Sequence, residues 1–406
     1  MPRVLNKPRY LLQAIKHCII IFGLFTFGSI TWAADYYVSA HPNEQQLGTN
    51  NQPWGDLQHA VSQLRAGDTL WLKPGNYLVK NNIELKRSGT TGQKITIRSL
   101  PGERDRTIIS GAGIAIKQQS FITIEGLTIQ QAFNGIYVEG SALSPTQDIT
   151  LRNNRTVSTV QSGIAVWGVA WKKDPKNYSN LSKLLIEGNT VEQACIGHDE
   201  HATNGYNEAI TIANGVSEFE ISHNLITNGG NPKYGGEGID LKEGVQNGKV
   251  HHNQIHSLHR RGIYLDAGGL LGYSPPFVKN IRIYNNQVHS IREAFAKQSN
   301  KRLFEGAGAM AIMTEGNGSV SDIEIFNNRL EHSDEDGILI YQHPKGSGTV
   351  SNIHIYRNYI ANHRRTGILV DNPNATDIHI INNQLENNNQ NLMLLRGDVK
   401  RFPTSR

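Results

Sequence analysis

The stretch Tyr234–Gly269, YGGEGIDLKEGVQNGKVHHNQIHSLHRRGIYLDAGG, holds one short pattern twice. GEGIDLKEG opens the first copy and RRGIYLDAG opens the second. Strict alternation sends Ile239 and Leu241 inward and turns Asp240 and Lys242 outward. The second copy does the same with Ile263 and Leu265 against Tyr264 and Asp266. Glu237 and Arg261 stand just before the glycine, where the chain enters the strand and alternation need not hold. Stacked in register, the two strands place a carboxylate-rich patch with a lysine, an arginine and a tyrosine on one face.

The pattern recurs along the chain. GIAIKQ, NGIYVEG, SGIAVWG, EAITIANG, MAIMTEG, DGILIYQ and TGILVDN are further openings, each followed by a second alternating strand such as DITLRNN or NIRIYNNQV. An asparagine returns at positions 154, 189, 224, 253, 286, 328, 358 and 383, at spacings of 25 to 42 residues. Short strands repeated without helices between them define a parallel β-solenoid, an all-β fold. The asparagines are expected in left-handed turn conformations, their amides bonded from coil to coil in a ladder. Before the repeats, Leu57, Ala60, Val61 and Leu64 share one helical face, which predicts a helix capping the open end. The plan is therefore a cap over 35–110, coils over 111–396 and a tail over 397–406. Insertions at 167–182, 193–206, 267–279 and 293–309 are expected to wall a binding site on one edge.

Arg3, Lys7, Arg9 and Lys16 precede CIIIFGLFTFGSI and then TWAAD, the composition of a signal peptide over residues 1–34. The expected mature protein is secreted or periplasmic, free of the membrane and monomeric. The chain has 40 basic and 35 acidic residues, and the leader takes four of the basic ones. The balance that remains is near zero, which argues against a nucleic-acid partner. Only Cys195 remains once Cys18 leaves with the leader, so no intramolecular disulfide is expected.

Aligning the repeats on the Gly-Ile pair gives three outward columns. The strand-start column runs through Glu208, Glu237, Arg261, Met310 and Asp336. The middle column has Thr211, Asp240, Tyr264 and Met313. The third has Trp167, Lys242, Asp266 and Glu315. Rungs lie about 4.8 Å apart, so Glu208, Glu237 and Asp240 crowd together. Close carboxylates repel unless protonated or neutralised. A calcium ion held by these three, with Asn207 as a further ligand, would relieve the repulsion; so would Lys242 and Arg261. Trp167 and Trp171 are candidates to stack on sugar faces, and Lys172 to hold a uronate. The run His198-Asp199-Glu200-His201 is a second-rank cation or acid–base candidate. His251, His252, His256 and His259 alternate between faces and read as structural, with His256 and His259 as outside acid–base candidates.

YYVS at 36–39, QHAVSQLRAGDTLWLKPGNY at 58–77, KITIRS at 94–99 and the repeated GI-x-I strands resemble the right-handed parallel β-helix polysaccharide lyases of families six and nine. The resemblance implies a right-handed helix. In family six it implies a calcium held by acidic side chains that neutralises the substrate carboxylate, while a Lys and an Arg run the elimination. Glu237 and Lys242 have a spacing similar to the family's Glu and Lys. The family's Arg column holds Asp266 here, with Arg261 at the strand start instead. The expected activity is calcium-assisted β-elimination on a uronate-containing polysaccharide. Lys242, its pKa lowered by burial or by Arg261, would be the base. Arg261 would stabilise the developing charge, and Tyr264 or a water would protonate the leaving oxygen. Asp266, Glu315, Trp167, Trp171 and Lys172 would bind substrate. EGID also resembles the DGID strand of the pectin hydrolases, which keeps hydrolysis by Glu208, Glu237, Asp240 or Asp266 open. A uronate epimerase would use the same proton abstraction without bond cleavage, and a non-catalytic carbohydrate-binding solenoid also fits the pattern.

Overall fold

The computed structural model describes residues 33–42, 44–141, 143–168, 180–197, 208–232, 235–268, 277–293, 308–343 and 346–401. The alternating runs form short parallel strands in three sheets of 13, 11 and 11 strands. One coil shows the path. Glu237–Lys242 lies in the third sheet, Val245–His251 in the first and Gln254–His256 in the second, before Arg261–Asp266 returns to the third. Each strand therefore pairs with the strand one coil away, placing Ile210, Ile239 and Ile263 in register and fully buried. Burying each such side chain contributes about 1.5–3 kcal/mol. The solenoid read from the repeats is the fold.

The helix forms at Leu57–Gln63, started by Asp56, whose carboxylate accepts from the His59 amide at 2.7 Å. Its buried face of Leu57, Ala60 and Val61 packs beside Asp35–Val38 and Ile83–Glu84. At the other end Val399–Arg401 adds a strand to the first sheet, so the coils continue into the segment expected as a tail. Residues 1–32 of the expected leader lie outside the described residues. No helix among the described residues is long and apolar enough to cross a membrane.

The asparagine ladder is present. From Asn154 to Asn383 each side-chain Nδ2 donates to the next Oδ1 at 2.9–3.1 Å. Each also donates to a backbone carbonyl, as Asn253 does to Ile221. The backbone expectation needs correcting. The left-handed residue is the one before: Asn153, Gly188, His223, His252, Asn285, Asn327, Arg357 and Asn382. That residue makes the bend and turns the following asparagine inward, where its amide satisfies buried polar groups. A second close fit lies in the first sheet, where Phe219 pairs in register with Gly248. A Cβ on Gly248 would stand 2.0 Å from Phe219 Cζ, so only glycine leaves room for the ring.

Candidate active site

The third sheet differs from an ordinary solenoid face. Glu208–Ala213, Glu237–Lys242 and Arg261–Asp266 are buried on both faces, apart from half-buried Lys242. Alternation still points Asp240, Tyr264 and Asp266 outward, but that outward face is enclosed. Asp240 is 0 %, Glu237 1 % and Glu208 2 % exposed. They are not solvated surface acids. Burial makes every charge here costly unless it is paired.

The register brings the expected residues together. Glu208 pairs with Glu237, Thr211 with Asp240, Asp240 with Tyr264 and Lys242 with Asp266. Lys242 Nζ donates to Glu208 Oε1 and lies 3.1 Å from Asp240 Oδ2. Tyr264 donates its hydroxyl to Glu315 at 2.9 Å, and the Arg261 guanidinium lies 4.5 Å from the centre of the Tyr264 ring. Arg261 is itself completely buried.

One column needs realigning. Gly308, not Met310, stands beside Arg261; Ala311 stands beside Tyr264 and Met313 beside Asp266. Met310 packs in the core, because it fills the inward place that isoleucine holds in other coils, and Ala309 replaces the usual glycine. The alignment therefore slips by two residues. Glu315 lies past the end of strand Gly308–Thr314 and meets Tyr264 from there. The outward residues Ala311, Met313, Leu339, Tyr341 and Leu369 gather with Tyr264 into a separate apolar cluster. The polar site is thus bounded on one side by hydrocarbon, which strengthens its electrostatics.

Arg260 is a site residue that the alternation pattern does not single out. Its Nη1 donates to Glu237 Oε1 at 2.5 Å. The residue has a φ of 90°, a conformation that costs of order 1–3 kcal/mol in a residue with a side chain. Its backbone is held on both sides, donating to Arg292 O and accepting from the Gly308 amide, each at 2.9 Å. The doubled arginine before the glycine is the available signal. Strand alternation has no rule for a residue in the turn. Farther along, Arg365 bonds Asp336 and lies 3.2 Å from Glu335. Burial raises the Glu335 carboxyl to about 7, Arg365 offsetting this in part and Asp336 adding to it.

The Lys242 expectation is reversed. Burial alone would lower its pKa, but Asp240, Glu208, Asp266 and Glu237 outweigh it and hold the ammonium well above its usual range. Burial, aided by neighbouring carboxylates, pushes Asp240 and Asp266 well up, with Lys242 opposing. Glu208 is raised by burial despite Lys242. Burial also raises Tyr264, with Asp266 and Glu315 adding to it. Glu315 goes the other way: burial would raise it, but Arg260, the Tyr264 hydroxyl and Lys242 bring it down. Five acids, Glu208, Glu237, Asp240, Asp266 and Glu315, share three cations, Lys242, Arg260 and Arg261.

The donor chemistry for a hard cation is present. Among the described residues, Glu208 Oε2, Glu237 Oε2 and both Asp240 carboxylate oxygens are buried without a hydrogen-bond partner, Asp240 Oδ2 being ion-paired with Lys242. Lys242 and Arg260 hold the facing oxygens, and among the described residues no three His, Cys, Asp or Glu are grouped to hold an ion. Glu208, Glu237 and Asp240, the acids expected to hold calcium, are ion-paired here with Lys242 and Arg260.

Trp167 lies at the end of strand Ile164–Trp167, in register between Glu139 and Ala213, toward the N-terminal side of the cluster. Trp171, Lys172, Asn207 and His198–His201 lie outside the described residues. His256 stacks on His289 in the second sheet, and His251 lies in the first with His252 just beyond it. His259, in the turn before Arg260, sits 3.4 Å from the Glu293 carbonyl.

Residues 36–177 match a family model described as Pel9A-like, right handed beta helix region. The chain is 30% identical over 230 residues to the uncharacterized protein YwoF of Bacillus subtilis, covering 52% of this chain and 44% of that one. It is 38% identical over 71 residues to pectate lyase PEL9 of Emericella nidulans, covering 18% and 17%. The matched stretches thus span less than half of either relative. The A-module of the Azotobacter vinelandii mannuronan C-5 epimerase AlgE6 superposes with a TM-score of 0.56 at 13% identity, over 86% of this chain and 93% of that one; this shows a shared fold. The fold is thus a parallel β-helix, and residues 36–177 are similar to the Pel9A-like right-handed region.

Proposed function

We propose that this protein is a polysaccharide lyase cleaving a uronate-containing chain by β-elimination. The observation that carries the reading is fully buried Arg261 with half-buried Lys242 and Arg260 beside Tyr264 in adjacent coils. Hydrolysis needs only carboxylates; enclosed guanidinium groups, one of them fully buried, suit an anionic substrate and an enolate-like intermediate. The Pel9A-like match and the pectate lyase relative support the same chemistry.

Arg260 and Arg261 would receive the substrate carboxylate and stabilise charge as the adjacent carbon loses its proton. Lys242, as free amine, accepts that proton. The carbon's electron pair forms the new double bond and the glycosidic carbon–oxygen bond breaks. Tyr264, whose raised pKa keeps its hydroxyl protonated, supplies the leaving oxygen's proton. A divalent cation, when bound, would add further neutralisation of the substrate carboxylate. Because the carboxylates around Lys242 favour its ammonium form, the active amine appears only as pH rises. The rate is expected to climb from neutral into alkaline solution.

The test is to incubate the purified protein with a panel of uronate polymers and follow ultraviolet absorbance beside reducing ends. The two signals should appear together and fall by about 100-fold or more in Lys242→Met, the scale of a lost general base. Reducing ends without absorbance would replace this reading with hydrolysis. That second reading draws on the raised Asp240 and Asp266 carboxyls, which can serve as acids.

A further inference from the structure

We propose that Arg365 anchors a second uronate subsite, and that Glu335 stands there in place of a substrate carboxylate. The inference deepens the uronate reading above and rests on it for the class of ligand. Arg365 precedes strand Thr366–Asp371 and reaches back one coil to Asp336, the first residue of strand Asp336–Gln342. Its Nε and Nη2 donate to the two Asp336 oxygens, and Asp336 is 1 % exposed. That edge of the guanidinium is fixed. On the other edge, Glu335 Oε2 lies 3.2 Å from Nη2, and Nη1 has no partner among the described residues. A guanidinium receives a carboxylate through two parallel bonds along one edge. Glu335 makes a single contact where a substrate carboxylate can make two.

Glu335 is also the exchangeable partner. Its side chain is 22 % exposed and that of Arg365 23 %, whereas Asp336 is sealed. Burial pushes the Glu335 carboxyl up to about 7, with Arg365 opposing, Asp336 and Glu293 adding, and Arg261 opposing. A proton therefore competes with the arginine for it near neutral pH. The place is in line with the enclosed charges. Arg261, Gly308 and Asp336 stand in register at their strands, so Arg261 and Asp336 are two rungs apart, about 10 Å. Gly308 puts no side chain into the column between them. A uronate chain with one carboxylate at Arg261 that follows this column brings a later carboxylate to Arg365.

The test is affinity electrophoresis at a pH of about 8, where Glu335 is ionised. Native gels contain polygalacturonate or alginate in excess, with chelator, and mobility is referred to polymer-free gels. Circular dichroism confirms folding of each variant. Glu335→Gln should bind the retarding polymer about three- to fivefold more tightly than wild type, the scale of one partly exposed pair. Glu44→Gln, the same charge change in the cap, should not. Arg365→Lys keeps the charge but loses the fork, and should bind about tenfold more weakly; if it does not fold, Glu335→Gln decides. No retardation of wild type, no gain in Glu335→Gln, or an equal gain in Glu44→Gln overturns the subsite. A lyase signal without the Glu335 effect sinks the subsite alone. The effect without a lyase signal sinks the proposed reaction alone.

Discussion

Replacing Arg260 with alanine removes the guanidinium that bonds Glu237 Oε1. Glu237 is 1 % exposed and its other oxygen has no hydrogen-bond partner, so the variant leaves a buried carboxylate without its counter-charge. Breaking a buried pair by deleting one partner costs about 3–5 kcal/mol. The strained φ at this position is unchanged in alanine and does not offset the loss. For a chain of this length each kcal/mol lowers Tm by about 1–1.5 °C, so Arg260→Ala should melt about 4–6 °C below wild type. Arg260→Ala/Glu237→Gln removes the stranded charge and should recover most of that loss. Differential scanning calorimetry of wild type, both single variants and the double variant gives the coupling directly. A shift under 1 °C in Arg260→Ala, or a double variant that melts no higher than Arg260→Ala, would refute the account of this pair as a buried charge compensation.

Asn253 accepts from the Asn224 backbone and side chain and donates to Ile221 O and Asn286 Oδ1. Asn253→Ala strands these groups and should cost about 3–5 kcal/mol, measured by thermal unfolding, with the neighbouring amides losing hydrogen-exchange protection. His363 is buried, with Leu330 O 3.1 Å from its Nε2, and burial lowers its pKa from 6.5 to about 4. The unfolded chain therefore binds the proton first, so stability falls as pH drops from about 6.5 to 4, by up to about 3 kcal/mol from this group. Melting curves across that window should flatten measurably in His363→Gln.

The strands, their stacking and the asparagine ladder are legible because they repeat. An apolar residue at every second position and an asparagine once per coil are local properties, and the same burial argument applies to each coil. The outward neighbours Asp240 and Tyr264, and Lys242 and Asp266, follow from matching Gly-Ile pairs. Where the pair is missing, at Gly308–Met310, alternation cannot tell a methionine filling the core from one facing out, and the column slips by two residues.

The sequence by itself determined the parallel solenoid, the face that carries the charges and most of the residues gathered there, because side-chain alternation and coil-to-coil stacking are fixed by backbone geometry. Only the tertiary structure decided which charges meet. Lys242 reaches back to Glu208 across 34 residues of sequence, and Arg260 reaches Glu237 from a left-handed turn that no strand pattern encodes. It also decided the sign of the Lys242 shift. Burial and neighbouring carboxylates pull an ammonium in opposite directions, and the outcome depends on how many acids the fold encloses with it.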